Sequence, residues 1–312
     1  KLHFFKTYLR RRNVNRLCWI EYMSDGTFKR HRDGVAEKVA AARNVLLLIH
    51  GIIGDTDGIA QGLTLAKDSE GKSVNEKFDL VLTYDYENLS TPISETAVEL
   101  KRQLSEAGLS ESDDKRLTLL VHSMGGLVSR WFIEREGGNR VVDHLVMFGT
   151  PNVGSPFGTV NSARQLSSVL TTLAINMFPA CVPFGGALVF LLNRSTKVTP
   201  TLEQMNPTSV FIKTLNRSPD PGIPYTVVAG DIRNYEESAD QMMARLVAKI
   251  GSGHIFSQLY KHAGHDIAVS SRSIRGIGDD RDPAPKKHDV NCHHLNYFVS
   301  EAGLNAMSDI DW

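Results

Sequence analysis

The chain has 312 residues, 41% of them hydrophobic, and Lys+Arg equals Asp+Glu at 35 each. A chain of that length buries a large core, and the balanced charge removes any general electrostatic drive toward nucleic acid. Cys18, Cys181 and Cys292 are far apart and odd in number, which excludes a disulfide framework or a zinc pattern and leaves buried thiols as the expectation.

The first residues, Lys1 to Phe5, lead into no apolar signal core, and no run is long enough for a transmembrane helix, so a cytoplasmic chain is expected. It does not begin with Met, and it reads as an excised or processed part of a larger protein. Arg10, Arg11, Arg12 and Arg16 form a basic lead-in. Leu17–Met23 and Thr27–Arg30 flank Ser24-Asp25-Gly26, a hairpin pattern suited to the antiparallel edge of a larger sheet.

Val45–Ile49 is wholly apolar and reads as a central strand, closed by His50-Gly51-Ile52. Leu80–Tyr84 is the next strand. Ile93–Ala107 is a helix with Ala97, Leu100 and Leu104 on one face, ended at Gly108. Leu117–His122 is a strand that runs through Ser123 and Gly125-Gly126 into a helix to Glu136. His144–Phe148 follows, ended by Gly149-Thr150-Pro151-Asn152-Val153-Gly154-Ser155. Strands alternating with helices predict an α/β fold with a mostly parallel, doubly wound sheet. The expected division is 1–44 for the lead-in and hairpin and 45–312 for the main domain, with insertions at about 157–216 and 232–263.

In the first insertion, Leu166, Val169, Leu170, Leu173, Ala174 and Met177 share one helical face. That face suits either a helix packed on the core or a lid over the site. Tyr225–Gly230 is another buried strand, ending at Asp231. The second insertion carries Met242, Met243, Leu246, Val247 and Ile250 on one side.

The order strand, serine, glycine, helix lifts the Ser123 hydroxyl to a helix N-terminus, where amides and dipole favour developing negative charge. A nucleophilic serine needs a base and a carboxylate to orient that base. Asp231 and Asp266 compete as the acid. Among eleven histidines no single one stands out; His293 and His294 follow a strand-like Asp289–Cys292, and adjacent residues on an extended segment point oppositely, so only one of the two can reach Ser123. His122 is expected to leave its strand on the opposite face and pack beneath the serine. His262 and His265, or Asp279, Asp280 and Asp282, show no metal-ligand spacing, and the aspartates read as a solvated loop.

Together, His50-Gly51, His122-Ser123-Met124-Gly125-Gly126 and the Gly149–Ser155 loop resemble the lipase and esterase branch of the α/β-hydrolases. Asp85-Tyr86 and Ser90–Ile93 further resemble esterase-like domains within large multidomain bacterial proteins. The resemblance covers roughly Val45–Phe298 and departs from the family pattern at Val121 and Ile267, where glycine is usual. It implies Ser123 as nucleophile, and Ile52 and Met124 amides as the oxyanion hole. Asp266 is favoured over Asp231 as the acid, and His294 over His293 as the base. The implied substrate is an ester or lipid, with transient lipid-surface contact and no cofactor or metal. The same machinery serves thioesters and amides. A different class of reading is a catalytically silent domain that binds a lipid or protein partner.

Overall fold

The computed structural model describes residues 15–52, 55–88, 90–111, 114–156, 168, 199–233, 235, 260 and 263–312. Eight strands form one sheet: β1 (Arg16–Tyr22), β2 (Phe28–His31), β3 (Asn44–Ile49), β4 (Leu80–Asp85), β5 (Arg116–His122), β6 (His144–Phe148), β7 (Tyr225–Gly230) and β8 (Lys286–Val290). Their spatial order is β2-β1-β4-β3-β5-β6-β7-β8. From β4 to β8 every pairing is parallel, while β1 runs antiparallel to both β2 and β4. The predicted doubly wound sheet is therefore present, and the hairpin forms its antiparallel edge.

Among the described residues the helices are α1 (Val35–Ala41), α2 (Asp57–Leu65), α3 (Ile93–Glu106), α4 (Met124–Arg135), α5 (Pro200–Gln204), α6 (Val210–Leu215), α7 (Ser271–Ile274) and α8 (Glu301–Ser308). Continuous apolar strands are needed because helices cover both faces. Val45, Leu47 and Ile49 join Leu100 and Leu104 of α3 and Leu127 and Phe132 of α4 in one core. Leu46 and Leu48, pointing the other way, join Ile59 and Leu63 of α2 and Met307 of α8 in a second.

β8 begins before the apolar-run reading places it, which put that strand at Asp289–Cys292. The strand is Lys-Lys-His-Asp-Val, half-buried at the open edge, and its charges hide it from a search for apolar runs. Edge strands carry charge because it discourages pairing with another chain. The helical faces expected at 166–177 and 242–250 lie outside the described residues, as do Cys181 and His262. Cys18 and Cys292 are buried thiols, not disulfide-bonded. Among the described residues no helix is long and apolar enough to cross a membrane.

One buried polar network ties α4 to its surroundings. Arg130 and Glu134, 1% and 0% exposed in their side chains, pair at 2.8 Å. Glu134 also accepts from the Tyr225 hydroxyl at 3.0 Å and pairs with Arg281 at 3.2 Å. Arg130 donates to Asn152 and Asn216. Removing one partner of a buried pair strands the other charge without water. Glu134→Ala is expected to cost about 3–5 kcal/mol of unfolding free energy, with Glu134→Gln milder because it keeps an acceptor; urea denaturation of the two variants checks both values.

Candidate active site

Ser123 stands between β5 and α4 at φ 53°, ψ −125°. A non-glycine residue there stores roughly 1–3 kcal/mol of strain. The fold holds it by a bond from Ser123 N–H to Phe148 O at 2.9 Å and from Gly126 N–H to Ser123 O at 3.0 Å. Gly125 and Gly126 let the helix start hard against its neighbours. A Cβ on Gly125 would lie 2.5 Å from His50 O, and one on Gly126 would collide with the Thr150 side chain. Val121, where the family pattern has glycine, is an ordinary strand residue paired with Ile49 and Met147 and fully buried.

Of the two candidate bases, the structure brings His294 to the serine. Its Nε2 lies 2.9 Å from Ser123 Oγ, and its Nδ1 lies 2.8 Å from Asp266 Oδ2. All three residues are buried. Asp266 Oδ1 accepts from the Ala268 and Val269 amides at 3.0 and 2.8 Å, and the His294 amide donates to Asp266 O at 2.8 Å. The turn that delivers those amides holds Ile267 at φ 87°. Such a φ suits glycine, so the departure at 267 keeps the backbone shape at a steric cost, against which stands complete burial of the Ile267 side chain.

Asp231 is turned elsewhere. Its carboxylate accepts from Arg233 side-chain nitrogens at 2.6 to 3.1 Å and from the Arg233 amide at 3.0 Å. His293 also points away from the serine. Its amide donates to Asn296 Oδ1, its Nδ1 accepts from the Leu295 amide, and burial pushes its pKa down to about 4. His122 packs beneath the serine as expected and also meets His294. Its ring lies 4.7 Å from that of His294, and its Nε2 is 2.9 Å from His294 O, so it flanks the base as well as packing on Tyr297 and Phe298. Burial drives its pKa well below the ordinary value, so the ring is neutral and donates Nε2–H to that carbonyl.

The loop after β3 reaches the serine directly: a Cβ on Gly51 would lie 2.6 Å from Ser123 Cβ. Its backbone is fixed from behind. The Tyr86 amide donates to His50 Nε2 at 3.2 Å, which leaves the ring proton on Nδ1, 2.6 Å from Gly51 O. Asn88 Nδ2 donates to Ile52 O at 2.8 Å, and the Tyr86 hydroxyl to His50 O at 2.8 Å. Because a trans peptide sets N–H opposite C=O, the Ile52 amide points away from the His50 ring. Met124 opens α4, so its amide is one of the helix-start donors with no intrahelical acceptor.

Sequence reasoning assigned no role to Asn88 or Tyr297. Their contacts join residues 36 and 31 apart in the chain, and neither has a motif of its own. Among the described residues no group of three or more His, Cys, Asp or Glu could hold a metal. Asp279, 83% exposed in its side chain, is bonded to Lys287 at 2.7 Å on a surface loop.

The family model described as a domain of unknown function (DUF7379) matches residues 15–310. No curated protein matches the sequence. Among solved structures, the mature form of lipase BlEst2 from Bacillus licheniformis is similar with a TM-score of 0.52 and 14% identity, over 93% of this chain and 94% of that one. Its propeptide form is similar with a TM-score of 0.54 and 14% identity, over 96% of this chain and 55% of that one.

Two histidines near this sheet tie stability to pH. Burial pushes His293 and His144 each from 6.5 to about 4. The unfolded chain therefore takes up protons that the fold refuses. Stability is complete above pH 6.5 and falls as pH drops toward 4, by roughly 3 kcal/mol for each histidine at most. Urea midpoints measured from pH 7 to 4 are expected to fall more steeply for the native chain than for His144→Gln.

Proposed function

The chain belongs to the DUF7379 family and has the α/β-hydrolase fold, and on that premise we propose that it is a serine hydrolase of carboxylic esters, acting on lipid or other apolar acyl esters. The carrying observation is the continuous buried line Ser123 Oγ to His294 to Asp266, at 2.9 and 2.8 Å. In this reading Ser123 attacks the ester carbonyl while His294 Nε2 takes its proton, and His294 returns that proton to the departing alcohol. Asp266 keeps Nδ1 protonated and the ring aimed. The Ile52 and Met124 amides receive the oxyanion, each worth about 3–4 kcal/mol of barrier. Water, activated by the same imidazole, then frees the acid.

An apolar substrate is favoured by the likeness to a protein named a lipase, and transient contact with a lipid surface belongs to the same reading. Thioesters and amides offer the same carbonyl chemistry and are separated from esters by a substrate series. A silent binding domain is disfavoured by the strained serine, which a protein without nucleophilic chemistry has no need to hold.

The native chain is expected to be labelled by a fluorophosphonate probe and to hydrolyse p-nitrophenyl esters. Ser123→Ala and His294→Ala should each abolish labelling and lower kcat by about four to six orders of magnitude. A folded native chain that is unlabelled both with and without detergent overturns the proposal. Gly51→Ala should fold yet lose most activity, because its Cβ meets the nucleophile; unchanged kcat/KM would remove the post-β3 loop from the site.

A further inference from the structure

Tyr297 lies three residues beyond His294, completely buried, and both capacities of its hydroxyl are in use. The Gly230 amide donates to it at 2.8 Å. An amide only donates, so the single hydroxyl proton is committed to Asp266 Oδ2, also at 2.8 Å. Asp266 thus accepts from the Ala268 and Val269 amides on Oδ1 and from His294 Nδ1 and Tyr297 O–H on Oδ2.

Space for the phenol is made by missing side chains. A Cβ on Gly149 would lie 2.8 Å from the Tyr297 ring and 3.0 Å from Asp266 Oδ2. One on Gly230 would lie 2.5 Å from the hydroxyl, and one on Gly303 would collide with the Tyr297 backbone. Gly149 also takes φ 61°. Burial pushes the phenol pKa well above its ordinary value, so it stays protonated and remains a donor. A ring placed for packing alone would be served by phenylalanine, with no buried hydroxyl to satisfy.

The geometry points to Tyr297 as a positioning residue for the acid–base pair, its O–H holding the Asp266 carboxylate in place and sharing Oδ2 with His294 Nδ1–H. This rests on the ester-hydrolase reading above. By taking part of the electron density on Oδ2, the phenol weakens the hold of Asp266 on the imidazole. Losing it strengthens that hold and makes the base easier to protonate. Among the described residues the titratable groups around the pair are His122, His293, His265, Tyr260 and, behind Tyr297, Cys292.

The test uses the full chain with Tyr297→Phe and, separately, 3,5-difluorotyrosine in place of Tyr297, which keeps the bond and makes it a stronger donor. Two signals are read: the kcat/KM pH profile, normalised to active sites titrated with fluorophosphonate, and the downfield proton resonance of His294 Nδ1–H, assigned by its loss in His294→Gln. Tyr297→Phe is expected to move the acid limb up by roughly 0.5–1 pH unit, to lower kcat about tenfold at unchanged KM, and to shift the resonance downfield. The fluorinated residue should move limb and resonance the opposite way. A folded Tyr297→Phe with only lower stability, its limb and resonance unchanged, overturns the proposal. If that variant does not fold, a fluorinated chain with an unmoved resonance overturns it equally. A native chain inactive on esters fails the ester-hydrolase reading instead, and the resonance still decides the role of Tyr297.

Discussion

The close approach of α4 to the end of β3 is the constraint on which the site depends. Gly125 permits it, because any side chain there would strike the His50 carbonyl. With the helix that close, the turn between β5 and α4 has one residue in which to reverse, and Ser123 takes the strained φ. The same approach puts Gly51 against the serine and places the helix-start amides beside the post-β3 loop. Strain, helix-start donors and the placement of the serine are thus three results of one packing contact.

Burial sets the electrical character around this contact. Asp85, beneath the post-β3 loop, would be pushed up by desolvation, but the Arg30 guanidinium and the hydrogen bonds from Arg30 and Thr56 outweigh that and hold it below the ordinary carboxylate value. His122, with no charged partner, is kept neutral. Asp266 is fully buried and surrounded by donors. Polar groups here are fixed before any substrate arrives, which is the condition under which dipoles stabilise developing charge most effectively.

Much of the fold was legible in the sequence because its parallel strands are apolar on both faces and each ends in a recognisable turn. Val45–Ile49 and Leu117–His122 show this directly. β8 was displaced because an edge strand carries Lys286, Lys287 and Asp289. Within the site, local pattern marked Ser123. The choice between Asp231 and Asp266 rested on resemblance, and what separates them in space is a bonding fact: one carboxylate is occupied by Arg233, the other faces His294. His122 keeps the strand alternation, on the face of Leu120, Tyr297 and Phe298, and it meets the His294 ring because the segment carrying His294 packs on that face. Asn88 and Tyr297 act through contacts that no local window contains.

The two cores described for this sheet do not share the site equally. Ser123 leads into a helix packed on one face, with Leu127 and Phe132. Tyr297 and Phe298, on the segment that carries His294, pack on the other face. Ser123 and His294 therefore stand on segments packed on opposite faces of the sheet and meet over its rim. Ser123 follows the end of β5 and His294 lies beyond the end of β8, so their 2.9 Å contact is made past the strand ends rather than inside either core. Neither core contains both residues, so the contact depends on how the two faces are held together across the strands from β5 to β8.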